Sequence, residues 1–510
     1  MKIERSFRIP GDATITRGEL RRLSYKLFLW TVAVAVVGTI ASSRGNQGSL
    51  RLSNALPGNI ILVTNTNDSG PGSLRDALAV ATDGDMIDAT GVSGTITLIS
   101  GELNVDKDVI VSGPGANHLA VDGNAQSRVL FINAGKTVTI SGLTITNGNV
   151  TNDWGGGISN VHGTLTVSNC IISGNSRGGI LNDEGALTVG NCTISGNSGG
   201  GIFSGTSPSG VATLTITNST ISGNSAAIYG GGILNAGSGS AMLTITDSTI
   251  SGNSADYGGG ICNVTGGSQG GAAIVTLSNS TVNDNSAVGD GGGIYNSAGR
   301  GLHASLTVEN STISNNSTNG NGGGVYNAAG GTFGGADVTV INSTLSANSA
   351  SANGGGTYNT GVAGGSASLA LGNTILNAGT SGENIFNDAA AVNSLGYNVS
   401  SDDGGGLLTG PGDQTETDPL LGSLRDNGGP TLTHALLPGS PAIDTGDPSF
   451  SPPPAYDQRG PGFDRVVNGR IDIGSFEVQG PRAATPTPTP RPSPTPRPRP
   501  TVHPRPLRND

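Results

Sequence analysis

Residues 214–235 read LTITNSTISGNSAAIYGGGILN, and residues 243–263 answer with LTITDSTISGNSADYGGGICN. Two blocks alternate here, and both run far beyond these two copies. The twelve-residue block opens at Leu165, Leu187, Leu214, Leu243, Val275, Leu306 and Val338, with a faded copy at Leu369. The GGGIxN block opens at Gly155, Gly230, Gly258, Gly291, Gly322 and Gly354. Successive twelve-residue blocks start 22, 27, 29, 32, 31, 32 and 31 residues apart. A period of this size marks a repeat protein in which each unit buries its apolar face only against the next.

Within a unit the pattern is that of short strands. In LTIT, Leu214 and Ile216 face inward while Thr215 and Thr217 face out. Asn218 and Asn224 recur as Asn191 and Asn197. Asparagine tolerates the left-handed backbone of a sharp corner, and amides held at one register hydrogen-bond along the stack. The glycine triplets suit a corner with no room for a Cβ. Parallel stacking with right-handed crossovers follows, and roughly eleven coils at about 4.8 Å each predict a rod on the order of 50 Å.

The composition agrees. The chain has 86 glycines in 510 residues, 4% aromatic and 12% charged residues, too few large apolar side chains for a thick core. Disorder would not keep aliphatic residues in one register through eight copies. Between residues 52 and 480 there are 32 acidic against 10 basic residues, a balance of about −22. That excess excludes nucleic acid as a partner. It suits solubility or loosely bound calcium; no cofactor and no metal site are expected.

Cys170 and Cys192 occupy the inward place that later copies give to Ser219, Ser248 and Ser280. Parallel neighbours present poor geometry for a disulfide, so free thiols are expected. Cys262 has no evident partner. Residues 1–43, with basic residues, the apolar run Leu27 to Ile40 and Ala41-Ser42-Ser43, read as an export signal or N-terminal anchor. Residues 44–59 form a linker. Residues 60–137 hold the N-terminal cap and first coils, residues 138–380 the repeats, residues 381–480 a region that breaks the period, and residues 481–510 a Pro/Thr/Arg-rich disordered tail. In the cap, Ser73 to Asp76 (SLRD) predicts a capping box opening a short helix with Leu74, Leu78 and Ala81 on one face.

Two stretches carry a family likeness. VTNTNDSGPGSLRDALAVA and GTITLISGELNVDKDVIVSGPG, within residues 60–125, resemble the opening of bacterial exported right-handed β-helix proteins with a CSLREA-type start, although Gly72 stands where the cysteine would be. SLGYNV, the stretch from Gly412 to Asp444, YDQRG and GRIDIGSFE resemble the C-terminal part of the choice-of-anchor Q group. The GGGI and ISGN pairs are similar in style to chlamydial polymorphic outer-membrane protein repeats. These resemblances imply an all-β, single right-handed parallel β-helix, a pectate-lyase-like solenoid, displayed outside the cell or at its surface.

Chemistry is sparse. A polysaccharide lyase needs a Lys or Arg base, often beside calcium-binding carboxylates, yet between Thr137 and Ser400 the only such residues are Arg177 and Arg300. A glycoside hydrolase needs two carboxylates roughly 5–9 Å apart. Asp153, Asp183, Glu184, Asp247, Asp256, Asp284 and Asp290 fall at different repeat positions, and only Asp256 and Asp290, in consecutive coils, suggest proximity. They are expected to be solvated. His162 reads as a corner residue without a companion, and Asp457, Arg459 and Asp472 as a structural ion cluster. The long Gly/Ala/Ser loops on one side, such as 264–274 and 328–337, read as spacers. Outward Thr-x-Thr rows are too interrupted for an ice-binding face.

The variable residue of GGGIxN offers one candidate ligand site. It is Phe203, Leu234, Cys262, Tyr295, Tyr326 and Tyr358 in successive coils. An outward stripe ending in Tyr295, Tyr326 and Tyr358 would be a platform for a sugar ring, unless the loops bury it. The expectation is a non-catalytic, monomeric, exported structural or adhesive protein that meets a glycan or other cell-surface polymer and touches membrane only through an uncleaved N-terminal segment; the alternative is a polysaccharide lyase or glycoside hydrolase.

Overall fold

The computed structural model describes residues 58–266 and 270–480. The chain winds as a right-handed parallel β-solenoid of about 11 turns. Each full turn adds one strand to each of three sheets, of 13, 11 and 15 strands, and all strand pairings are parallel. The third sheet also includes two-residue strands such as Ser254–Ala255, Ser286–Ala287 and Ser317–Thr318. The leader, most of the linker and the Pro-rich tail lie outside the described residues.

The repeat sets the register. Leu165, Leu187, Leu214, Leu243, Val275, Leu306, Val338 and Leu369 pair in sequence across the first sheet. None is more than 1% exposed. Ile158, Ile180, Ile202, Ile233, Ile261 and Ile294 do the same on the second sheet, and Ile172, Ile194, Ile221, Ile250 and Val282 on the third. Each buried aliphatic side chain stabilises by about 1.5–3 kcal/mol before conformational entropy is subtracted. One shifted residue would turn a whole coil inside out.

Polar columns line the corners. Asn175, Asn197, Asn224, Asn253, Asn285, Asn316 and Asn348 form an unbroken buried ladder in which each Nδ2 donates to the next Oδ1 at 2.9–3.0 Å. A second ladder runs Asn235, Asn263, Asn296, Asn327, Asn359, Asn387. The two expected asparagine corners prove to differ. Asn218 does take a left-handed conformation, φ 46°, but at the other corner Gly223 takes it, φ 61°. Asn224 is thereby free to spend its amide on the buried ladder. In the glycine triplets the first residue supplies a positive φ, 65° at Gly230, and the other two meet the next coil: a Cβ on Gly232 would lie 2.6 Å from the Gly260 carbonyl oxygen.

Ser219, Ser248, Ser280, Ser311 and Ser343 form a third column, each hydroxyl accepting from the preceding coil's backbone N–H at 3.1 Å. Cys192 extends it, its Sγ accepting from Cys170 N–H at 3.4 Å, and all three cysteines are free and buried.

Three features depart from the sequence expectation. The Gly/Ala stretches are more than spacers: they lengthen the first-sheet strands from five residues (Ala186–Gly190) to seven (Val211–Thr217 onward), and their alanines Ala298, Ala304, Ala329, Ala336 and Ala367 pack as a separate small core. The capping box is half made: Ser73 Oγ accepts from Asp76 N–H at 3.1 Å, but Ser73 N–H donates to Gly70 O, leaving Asp76 nothing to reach for. The helix, Leu74–Val80, nonetheless covers the open end, and Arg75 ties it to Asp68 and to the carbonyls of Gly101 and Glu102. Finally, coiling continues past residue 380 through the strands Ile385–Asp388, Ala391–Gly396 and Val399–Ser400. Only then does the chain turn back along the third sheet's outer face, where Gln458 bonds Thr281 and Thr312, Ser475 bonds Thr312 and Thr344, and His434 bonds Ser314.

Candidate functional site

The outer face of the second sheet carries the variable residues. Phe131, Ser159, Leu181, Phe203, Leu234, Cys262, Tyr295, Tyr326, Tyr358 and Phe386 occupy one column, each paired with the next. The column divides into two unlike halves.

The C-terminal half is an aromatic ladder. Ring centroids of Tyr295 and Tyr326 are 4.9 Å apart, those of Tyr326 and Tyr358 5.3 Å, and those of Tyr358 and Phe386 5.3 Å, with planes parallel to within 4°. The rings therefore turn their faces on one another. The stripe offers edges and hydroxyls outward, so a flat platform of exposed faces is not what these three tyrosines make. Burial pushes the Tyr295 phenol up to about 12 and raises those of Tyr326 and Tyr358 as well. The ladder does not pass through Cys262, which is fully buried with its thiol pushed up by burial. It runs instead through Tyr257 and Tyr229, from the loops before two glycine triplets, at 5.5 Å steps.

The N-terminal half is a groove of about 690 Å³ crossing four adjacent strands. Leu181, Phe203, Leu234 and Val264 form its floor, and Trp154 and Tyr229 stand as partly exposed walls. Phe203 lies back across Gly205, where a Cβ would come within 2.7 Å of the ring, and Trp154 meets it edge to face at 6.1 Å. Glycine at 205 thus lays the ring flat into the groove floor.

Two carboxylates line the same groove, Asp153 and Asp183. Arg128, almost wholly buried, pairs with Asp153 and with Glu102 (3.1 Å), and donates to the carbonyls of Gly155 (3.1 Å) and Trp154 (3.2 Å). Four of its five N–H donors are thus spent, three of them on the Trp154 loop. The Asp183 carboxylate has no hydrogen-bond partner among the described residues, and burial, with repulsion from Glu184 next, raises its pKa above the usual range. Glu184 is turned away, its Oε1 accepting from Ser207 N–H at 2.8 Å, which lowers its carboxyl and fixes the loop at the groove rim.

Other expected groups behave differently. His162 does have a companion, Glu184 of the next coil at 3.4 Å, a 22-residue offset set by one short turn. Asp290 is committed to Asn321, accepting from its backbone N–H at 2.8 Å and its Nδ2 at 3.1 Å. Asp457 and Arg459 form a buried pair at 2.5 Å, with the guanidinium 4.0 and 3.7 Å from the ring centroids of Phe463 and Phe476. Asp472 joins that pair through Glu477, whose Oε2 accepts from Asp472 N–H and whose N–H donates to Asp457, and it also accepts from Asp444 N–H and Val478 N–H. Among the described residues no three His, Cys, Asp or Glu side chains converge to hold a metal ion, and no helix is long and apolar enough to cross a membrane.

The groove itself was hidden from sequence reasoning. Its signals were Trp154, one of two tryptophans in the chain, and Phe203 standing between Leu181 and Leu234 with Gly205 two residues on and Asp183 in the preceding coil.

The fold makes this chain a right-handed parallel β-helix protein. A family described as a right-handed β-helix region matches residues 109–244. Among solved structures, pectate lyase Pel9A is similar at 15% identity and a TM-score of 0.48, over 82% of this chain and 96% of that one. A PL6 alginate lyase in complex with a trisaccharide is similar at 12% identity and a TM-score of 0.37, over 74% and 92%. No curated protein matches the chain.

Proposed function

We propose that this protein is an exported, non-catalytic surface solenoid that holds a glycan polymer against the outer face of its second sheet. The observation that carries this is the groove over Leu181, Phe203 and Leu234, with Trp154 and Tyr229 beside it: an extended, shallow, aromatic-walled trough on a rigid scaffold. Apolar faces of sugar rings pack on such side chains while their hydroxyls stay in water. The apolar run Leu27 to Ile40 supports export, and the likeness of residues 381–480 to the choice-of-anchor Q group supports display at the surface. Tyr295, Tyr326 and Tyr358 extend the contact by their edges and hydroxyls beyond the groove.

Isothermal titration of the full chain with soluble oligosaccharides tests this. Phe203→Ala and Trp154→Ala together are expected to weaken glycan binding by about tenfold or more. Undiminished binding by the double variant would remove the groove from the account.

One arrangement favours glycoside hydrolysis as a second reading. Asp183, raised toward its protonated form, and Arg128-paired Asp153 share a groove, and such hydrolysis uses an acid and a second carboxylate. Release of new reducing ends by the native chain, abolished in Asp183→Asn, would establish it.

A further inference from the structure

The charge around the groove says which glycans fit. Its lining residues include two carboxylates and no basic side chain. Arg128, behind the wall, is almost wholly buried and gives four of its five N–H donors to Asp153, Glu102 and two carbonyls, so burial keeps it from a ligand anion. Glu184, half-buried just outside the lining, adds to the acidity of that rim. The body of the protein compounds this, with 32 acidic against 10 basic residues from 52 to 480. A polyuronate would bring its own carboxylates into this field with no guanidinium or ammonium among the lining residues to receive them.

Asp183 is the opposite case. Its carboxylate has no hydrogen-bond partner among the described residues and lies in a trough whose lining includes Trp154, Phe203, Leu181 and Leu234. A half-buried carboxylate beside aromatic rings is complementary to an ammonium group, which gains both the ion pair and the attraction of the ring faces.

Resting on the glycan-binding reading above, we infer that the groove selects a glycan bearing free amino groups, an amino-sugar polymer, with Asp183 receiving the ammonium. Asp183 is then a specificity residue, whereas Phe203 and Trp154 supply affinity common to any sugar. Ligand binding should also favour the ionised carboxylate and so shift Asp183 back toward its ordinary value.

The test is titration calorimetry of the full chain with three probes of equal length: β-linked glucosamine oligomers, their fully N-acetylated counterparts, and galacturonate oligomers. The glucosamine oligomers are expected to bind about tenfold more tightly than the N-acetylated ones, and galacturonate most weakly. Asp183→Asn should abolish the preference for amine while leaving the N-acetylated oligomers bound as before, and Asp183→Glu should retain part of it. Asp426→Asn, an exposed carboxylate far along the chain, should leave the preference intact, which separates a local ion pair from general acidity. Equal binding of amine and acetamide, tighter binding of galacturonate, or an amine preference that survives in Asp183→Asn overturns the inference while leaving glycan binding standing. If none of the three probes binds, the glycan-binding reading itself falls.

Discussion

Tyr326 lies directly over Tyr295, the two ring centroids 4.9 Å apart and the planes within 2° of parallel. A β-solenoid imposes this: identical side chains at one register are held about 4.8 Å apart, within the centroid separations at which offset aromatic rings stack. The stacked run from Tyr295 to Phe386 is thus a consequence of backbone period, and it covers the outer face of coils whose inner core is thin. Tyr326→Ala is expected to destabilise by about 1–3 kcal/mol in chemical denaturation. A double-mutant cycle with Tyr295→Ala should show coupling of about 0.5–1.5 kcal/mol. Strict additivity would mean the stacking is geometrical only.

The same phenols set an alkaline limit. The Tyr295 hydroxyl is held at about 12 against an ordinary 10, because burial disfavours the phenolate. Its protonated form is the one the fold favours. The stabilisation is therefore complete below about pH 10 and is lost as pH rises through about 12. Ultraviolet titration should resolve late-ionising tyrosines, and Tyr295→Phe should make the unfolding transition less sensitive to alkali. A tyrosine titration with every phenol near 10 would contradict the burial.

The buried amide ladder and the exposed corner make opposite predictions for one residue type. Asn253 Oδ1 accepts from the backbone N–H and the Nδ2 of Asn224, while its Nδ2 donates to Ile221 O and Asn285 Oδ1. Asn253→Ala strands several buried groups and should cost about 2–4 kcal/mol. Asn218→Gly, at an exposed left-handed corner, should change stability by less than about 1 kcal/mol. Equal effects measured by urea unfolding would deny the ladder its structural role.

Glycine acts for two different reasons, and alanine scanning separates them. Gly196 has φ 63° with open space around its Cβ position, so Gly196→Ala pays only backbone strain of about 1 kcal/mol. At Gly232 a Cβ meets the Gly260 oxygen at 2.6 Å and Asn253 Nδ2 at 3.0 Å. Gly232→Ala should push neighbouring coils apart and lower the melting temperature far more, and comparable melting temperatures for the two variants would argue against close coil contact.

Much of this was legible in the period alone. Leu214, Ile216 and Ile221 announce three inward positions per coil, and the recurrence of the same block in successive coils fixes parallel register. What escaped was whatever the blocks do not encode. Tyr229 and Tyr257 reach the ladder from loops of unequal length. The alanine core sits in stretches whose Gly content reads as linker. Trp154 and Asp183 line one groove from different parts of the repeat, a placement without chemical signature in the sequence. The fold-back of residues 411–480 onto Thr281, Thr312 and Thr344 depends on single polar contacts such as Gln458, and no periodicity records them.

A crystal structure of the full chain soaked with β-linked glucosamine oligomers probes the account most directly. It should show sugar rings lying on Phe203 and Leu234, flanked by Trp154 and Tyr229, with an amino group against the Asp183 carboxylate. Sugar bound on another face while this trough stays empty at saturating oligomer would contradict it.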